Sequence, residues 1–189
     1  MRLEHAFDVP AAPADAWALL IDVPRVVPCM PGATLVDTID DATWKAKLQV
    51  KLGPISLTFD TDVHRTALDV EGRTMELAAA GREARGRGRA EGTLHASLEP
   101  IEVGTRVTMI TEVLLAGAVA SYGGGMVREV SNQLVGSFAE CLQAQLAADS
   151  GDAAATEAAR AAMERQAKPM SGASLAKAAF GGLIKGRSE

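Results

Sequence analysis

The sequence predicts an α+β domain in which an antiparallel sheet of about seven strands wraps around one long C-terminal helix. Three observations carry that prediction. Apolar and polar residues alternate at the start of the chain and again through most of residues 33–113, the period of half-buried strands. A single stripe at helical spacing follows, made by Val127, Val130, Leu134, Phe138, Cys141 and Leu142. The order is strand, two short helices, a run of about six strands and one helix, which is the grammar of an antiparallel rather than a parallel α/β sheet.

The first strand is "RLEHAFDV", with Leu3, His5, Phe7 and Val9 on one face and Arg2, Glu4, Ala6 and Asp8 on the other. Pro13 then opens a helix at a position where its missing N–H costs nothing, and Trp17, Leu20 and Ile21 form its apolar stripe. A second, shorter helix starts at Asp22, a capping residue, and stops in "PCMPG", because neither Pro28 nor Pro31 can continue it.

Strands follow from Ala33. "TWKAKLQVKLG" puts Trp44, Ala46, Leu48, Val50 and Leu52 on one side and Lys45, Lys47, Gln49 and Lys51 on the other, so the sheet has one dry face. Gly53-Pro54 is a turn. Ile55, Leu57, Phe59 and Val63 continue the dry face, as do Met75, Leu77 and Ala79 in the next strand. In "GRGRAEGTLHASL" the odd positions Arg87, Arg89, Glu91, Thr93, His95 and Ser97 face water, while Gly86, Gly88, Ala90, Gly92, Leu94 and Ala96 face in. So small an inner face leaves space. The last strand sends Val107, Met109, Thr111 and Val113 to one side.

Between that strand and the long helix lies "LAGAVASYGGGMV", which has little side-chain bulk. Only fifteen residues separate the charges at Glu112 and Arg128, fewer than the roughly 20 that a membrane-spanning helix needs. The domain is expected to end near Asp149, giving a body of residues 1–149 and a flexible tail of residues 150–189. In the tail, "DAAATEAARAAMERQAK" is a linker or a marginal helix, since Met163 is its one sizeable apolar group. The end of the chain sets Leu175, Phe180, Leu183 and Ile184 among Lys177, Lys185 and Arg187, a composition suited to an acidic lipid or protein surface.

Composition narrows the chemistry. The chain has 189 residues, 48% of them apolar and 4% aromatic, and a net charge of −5. That charge argues against nucleic acid as the partner. Residues 150–189 carry six basic and four acidic side chains, so the excess of acid sits in the body. The arginines Arg82, Arg85, Arg87 and Arg89 alternate with acids and lack aromatic neighbours for stacking, as on a solvated strand face. "GRGRAEG" misses the dinucleotide fingerprint by one residue, and "GGGMVRE" lacks the Gly-Lys-Ser/Thr of a phosphate loop. His5, His64 and His95 lie on separate strands with no ligand-spaced partners, so no metal site is expected. No serine sits in a nucleophile elbow. Cys29 and Cys141 match no paired-cysteine spacing and read as two buried thiols of a reducing compartment. The start has no apolar segment of a secretion signal, so a cytoplasmic location is expected.

"DVPRVVPCMPGATL", "LGPISLTFD", the Gly-x-Gly-x-Ala strand, the "LLAGAVASYGGGMV" joint and the long final helix together resemble the carbon monoxide dehydrogenase G-subunit family. That family belongs to the START-like, helix-grip superfamily of polyketide cyclases and lipid-transfer domains, and the likeness spans roughly residues 1–147. It implies a seven-stranded sheet curled around the C-terminal helix with an apolar cavity between them. It also implies a non-catalytic role with no covalent cofactor: a carrier of a quinone, menaquinone or ubiquinone, that brings a molybdenum hydroxylase to the cytoplasmic face of the inner membrane. The family supplies no catalytic residues.

On that reading Met30, Trp44, Leu48, Leu57, Phe59, Met75, Leu77, Gly88, Met109, Thr111, Tyr122, Gly124, Met126, Val127 and Val130 are the expected ligand-binding residues, with Tyr122 and Thr111 orienting a polar head group. Gly117, Ala118, Ala120, Gly123, Gly124 and Gly125 are expected to leave the mouth of the cavity open. Leu175, Lys177, Phe180, Leu183, Ile184, Lys185 and Arg187 are expected to meet the membrane or partner. Two alternatives are a cyclase or dehydratase, which would need an acid or base inside the cavity where the inward-facing residues offer His5 alone, and an assembly factor with no ligand.

Overall fold

The computed structural model describes residues 1–52, 55–149 and 153–167. Strands β1 (Arg2–Val9), β2 (Ala33–Asp40), β3 (Thr43–Leu52), β4 (Ile55–Asp69), β5 (Thr74–Glu83), β6 (Gly88–Pro100) and β7 (Thr105–Gly117) form one curved antiparallel sheet, ordered β1-β7-β6-β5-β4-β3-β2. Strands β2 to β7 pair in sequence order. Only the step from β1 to β2 crosses the sheet, through helices α1 (Pro13–Leu20) and α2 (Val23–Val26) and a 3₁₀ turn at Val27–Cys29. Helix α1 starts on Pro13, and Asp22 Oδ1 accepts from the Arg25 N–H at 3.2 Å to cap α2, both as the sequence predicts. The expected turn at Gly53-Pro54 lies outside the described residues.

The strand register gives the sheet two different faces. Trp44 opposes Val63, Leu48 opposes Phe59, Leu77 opposes Leu94 and Ala96 opposes Met109, all on the inner face. Lys47 opposes Asp60, Asp60 opposes Arg82, and Arg82 opposes Arg89 on the outer face. The alternation expected from "TWKAKLQVKLG" is therefore the one that folds. Helix α3 (Gly123–Asp149, 27 residues) covers the inner face and packs alongside β1.

The core is in two parts. The larger joins Val9, Trp17, Leu19, Met75, Leu98, Val107 and Met109 to Phe138, Leu142 and Leu146 of α3. Phe7 and Phe138 meet edge to face, their ring centres 6.2 Å apart. The smaller part is Leu57, Phe59 and Val119 near the start of α3. Within α3, Phe138, Ala139, Cys141, Leu142, Gln145 and Leu146 are buried, and every one belongs to the second half of the helix.

Cys29 and Cys141 are joined in a disulfide, with 5.3 Å between their Cα atoms and no exposure at either residue. This corrects the reading of two separate thiols. The helical stripe aims Cys141 inward, and the 3₁₀ turn lays Cys29 against α3 at the same level. The buried Gln145 amide reinforces the junction, donating to Cys29 Sγ at 3.1 Å and to the Arg25 carbonyl at 3.2 Å.

Residues 153–166, a linker or marginal helix by composition, form helix α4 (Ala153–Gln166) docked on α3 and the 3₁₀ turn. Its small residues are what let it dock. Ala159 and Ala162 are each only 4% exposed, and Met163 packs against the main core. The Gly32 N–H donates to the Gln166 carbonyl at 2.9 Å, and Gln166 Nε2 donates to the Ser137 carbonyl at 3.2 Å. The ordered body thus runs past residue 149, up to Ala167 among the described residues. Leu175, Lys177, Phe180, Leu183, Ile184, Lys185 and Arg187 lie outside those residues.

Candidate functional site

Between the two core clusters the inner face carries a strip of apolar side chains that are neither buried nor free. Leu48, Val50, Val63, Leu77, Ala79, Leu94 and Val113 are half-buried along it. Opposite them, Val127, Val130 and Leu134 lie on the first half of α3, on the stripe that buries Phe138 and Leu142 further along, and they too are only half-buried. Strand and helix residues that would normally bury one another here remain accessible. Polar side chains on this face include Thr61, Thr111, His5 and Arg65, the last opposite Leu77.

Of the residues expected to bind ligand, the fold brings Leu48, Leu77, Thr111, Val127 and Val130 to this strip. Met75 and Met109 close one end within the main core, and Met30 packs against the same cluster. Leu57 and Phe59 close the other end, with Tyr122 beside them. Trp44 is 3% exposed, and the Arg65 guanidinium lies 5.6 Å from its ring centre, a cation–π lid on that edge of the inner face. Met126 is 42% exposed, and Gly124 is exposed too, with a Cβ there 2.9 Å from the Met1 side chain.

The small-residue joint has two parts. Gly117 (φ 78°) and Gly123 (φ 75°) bracket a 3₁₀ turn, Ala118–Tyr122, that tucks Val119 onto Leu57 and Phe59. A Cβ on Gly117 would come within 2.8 Å of the Gly88 Cα, and one on Gly88 would strike the Ala116 carbonyl. These two glycines permit a close approach of the paired β6 and β7 backbones at the end of their ladder. Gly86, expected on the inner face of a strand, instead lies in the β5–β6 turn at φ 74°. Within the joint Gly123 and Gly125 border open space, with nothing within 4 Å of an added Cβ, as is also true of Gly86 in its turn and Gly136 on α3. Gly92, by contrast, lies on the strip itself, opposite Ala79 and Val113, and its missing Cβ would meet only the Glu112 carbonyl, at 3.1 Å.

One inward-facing acid was not expected. Glu83 opposes Phe59 on the inner face and is 4% exposed. Its Oε2 accepts from the N–H groups of Arg85 (2.9 Å) and Arg87 (3.1 Å), and its Oε1 accepts from Arg87 Nη2 (2.8 Å). The Arg87 side-chain hydrogen bond chiefly, then the backbone N–H groups, overcome desolvation and hold its pKa at about 2. A carboxylate so engaged pins the β5–β6 turn and is a poor general base near neutral pH. Arg87 is corrected with it. It lies in the turn rather than on a solvated strand face, and it also donates to the Ser56 carbonyl at 2.8 Å. Continuing the alternation Met75, Leu77, Ala79 by two more steps reaches Glu83, so the signal was present in the sequence.

Two hollows, of about 1000 and 690 Å³ and both open to solvent, lie against the outer face, and neither is the apolar cavity expected between the sheet and α3. Lys45, Lys47, Asp60, Asp62, Arg82, Arg89 and Glu91 rim the larger one over a floor that includes Val36, Ala46, Ala80 and Ala116, a charged trough with an apolar base. Among the described residues no three His, Cys, Asp or Glu side chains converge to hold a metal, and no helix is long and apolar enough to cross a membrane.

A curved antiparallel sheet gripping a long helix defines a START-like, helix-grip fold. Solved structures with this fold include a conserved protein from Geobacillus kaustophilus (TM-score 0.70, 21% identity, covering 78% of this chain and 95% of that one). Another is the Zhui aromatase/cyclase from Streptomyces sp. R1128 (TM-score 0.57, 14% identity, covering 82% and 97%). At these identities the likeness is one of fold. The chain itself belongs to the CoxG family, the G-subunit family of carbon monoxide dehydrogenase, whose model matches residues 6–147. No curated protein matches it.

Proposed function

We propose that this chain is a non-catalytic carrier that shelters the apolar part of a small molecule, a respiratory quinone or a lipid, on the strip between its sheet and α3. It would present that molecule to a molybdenum hydroxylase of the carbon monoxide dehydrogenase type on the cytoplasmic face of the membrane. The observation that supports the reading is the half-covered strip of Leu48, Val63, Leu77, Val113, Val127 and Val130, set between a curved sheet and the helix it grips. Covering about 200 Å² of apolar ligand surface there is worth about 5 kcal/mol before the costs of association. Membership of the CoxG family supports the choice of partner enzyme. The basic and apolar residues beyond Ala167, from Leu175 to Arg187, would supply attraction to an acidic membrane surface.

The cyclase reading has less to rest on, because among the described residues the one buried inward carboxylate is committed to Arg87 and the turn backbone. Native mass spectrometry and organic extraction of protein purified without detergent test the proposal. A co-purifying quinone or lipid at near one per chain is expected. Protein that carries nothing, and that takes up neither quinone nor lipid when offered them, would end it.

A further inference from the structure

The Gly32 N–H donates to the Gln166 carbonyl at 2.9 Å, so α4 ends beside Ala33, the first residue of β2. β2 is an edge strand, with β3 as its one neighbour in the sheet. Register shifts leave Val36 and Ile39 outside the pairing with β3, and both are about half exposed, at 54% and 52%. An edge interrupted in this way is a poor template for a further strand, so it is offered to a partner through its side chains. Those side chains are apolar and acidic. Asp37, Asp40 and Asp41 belong to β2 and its turn, Asp60 and Asp62 lie on the outer face of β4, and Lys45 and Lys47 are the cations between them. Lys47 is paired with Asp60 at 2.8 Å, and Lys45 lies in register between Asp37 and Asp62. The next cation along β3, Lys51, lies past Gln49, which pairs with Gly32. Among the described residues Asp37, Asp41 and Asp62 have no ion-pair partner.

We infer that the chain's own residues 168–189 dock on this edge, their apolar side chains on Val36 and Ile39 and their basic ones against the aspartates. The segment carries four basic side chains and one acidic, the opposite balance to the edge, and sets them among Leu175, Phe180, Leu183 and Ile184. It also starts in the right place. At about 3.3 Å per residue Val36 lies roughly 13 Å along β2 from Gly32 and Ile39 roughly 23 Å, within the roughly 27 Å that an extended chain covers between Ala167 and Leu175. A tether of this length gives an effective concentration on the order of 1–10 mM, so a contact of about millimolar strength keeps the segment docked from half to nine-tenths of the time. The membrane role proposed above calls on the same residues. The β2 edge and an acidic lipid surface therefore compete for them, and a docked tail is held off the membrane.

The test uses the full chain with a nitroxide attached at Ala179→Cys, the one free thiol because the two native cysteines are joined. At low salt the NMR signals of residues 34–41 should be broadened while those of β1, on the opposite edge, stay sharp, and about 0.5 M salt should weaken the effect. Sharp β2 signals at low salt overturn the inference, as does broadening centred on another face. Spin-labelled chain mixed with unlabelled, isotope-enriched chain should broaden nothing. Broadening there makes the occupant a second copy's tail and overturns docking within one chain. Val36→Thr combined with Ile39→Thr changes no charge and touches exposed side chains only, so the body should stay folded and most of the broadening should be lost. Broadening that survives overturns the assignment to these two residues. The same variant should bind vesicles of phosphatidylglycerol and phosphatidylcholine about two- to tenfold more tightly than wild type, because its tail is free more of the time. Unchanged vesicle affinity in a variant that has lost the broadening overturns the competition. Broadening at β2 in a chain that binds no vesicles supports the docking and removes the membrane role, whereas vesicle binding with a sharp β2 removes the docking and leaves the membrane role.

Discussion

Replacing Gly92 with leucine distinguishes an accessible strip from a filled interior. Gly92 faces inward from β6 between Ala79 and Val113, and a Cβ there would touch only the Glu112 carbonyl, at 3.1 Å. The backbone is not in the left-handed region, so a side chain is not strained by conformation. Leaving glycine behind in a strand gains about 0.5–1 kcal/mol, and easing the Glu112 contact offsets part of that. If space lies beyond, Gly92→Leu should keep the melting temperature within about 3 °C of wild type, by the usual 2–4 °C per kcal/mol for a chain of this size. If the interior is solid, overpacking costs about 1–3 kcal/mol, a fall of roughly 3–10 °C. Differential scanning fluorimetry reads the first quantity and titration with menadione the second, where the leucine should weaken binding at least tenfold by occupying the strip. A fall of 8 °C or more, or unchanged binding in a stable variant, would refute the reasoning. Gly117→Ala is the contrasting case: at φ 78° and ψ −156°, with Gly88 Cα 2.8 Å away, it should lose about 2–3 kcal/mol without acting through the ligand site.

Three further outcomes are expected. Glu83 has a folded pKa of about 2 against 4.5 for an unperturbed glutamate, so the unfolded chain takes up its proton first as the pH falls. The stability it confers is complete above pH 4.5 and lost as the pH drops towards 2; melting curves across that window should be flatter for Glu83→Gln, and an unchanged slope would remove the carboxylate from the account. Separating Cys29 and Cys141 by serine substitution opens a loop closed across 112 positions, with an expected cost of about 4 kcal/mol, near 10 °C in melting temperature. Two titratable thiols in freshly unfolded, unreduced protein would contradict the bond. Deleting residues 168–189 removes four basic side chains and one acidic, and should lower sedimentation with anionic vesicles while ligand uptake by the body persists; undiminished sedimentation would free the tail of that role.

The sheet was legible because each strand needs only a period of two to be recognised, and because one face is predominantly apolar. Trp44, Leu48, Leu57, Phe59 and Met75 all took the side that their spacing predicts. What periodicity does not contain is whether an inward residue ends up covered. Leu77 and Met109 both face inward and both adjoin the main core, yet Leu77 is half-buried and Met109 buried, a difference that spacing does not contain. The disulfide joins residues 112 positions apart, and no local pattern reports such proximity. Helix α4 was obscured by its own mechanism of packing, since Ala159 and Ala162 dock through closeness rather than bulk. His5 was visible as an inward polar residue, but its pairing with Asn132 belongs to the tertiary fold. The glycines of the joint were read as making space; Gly117 and Gly88 serve the close approach of the β6 and β7 backbones instead, and that distinction needs a φ angle and a neighbour.

Methyl-resolved NMR of isotopically labelled protein, titrated with menadione, tests the site most directly because its two faces carry separate reporters. Shifts and intermolecular contacts should concentrate at Leu48, Val63, Leu77, Val113, Val127 and Val130, leaving Ile110 and Leu114 of the outer face unmoved. Perturbation centred on Leu114 and the charged trough, or none on either face at saturating probe, would contradict an apolar ligand held between the sheet and its helix.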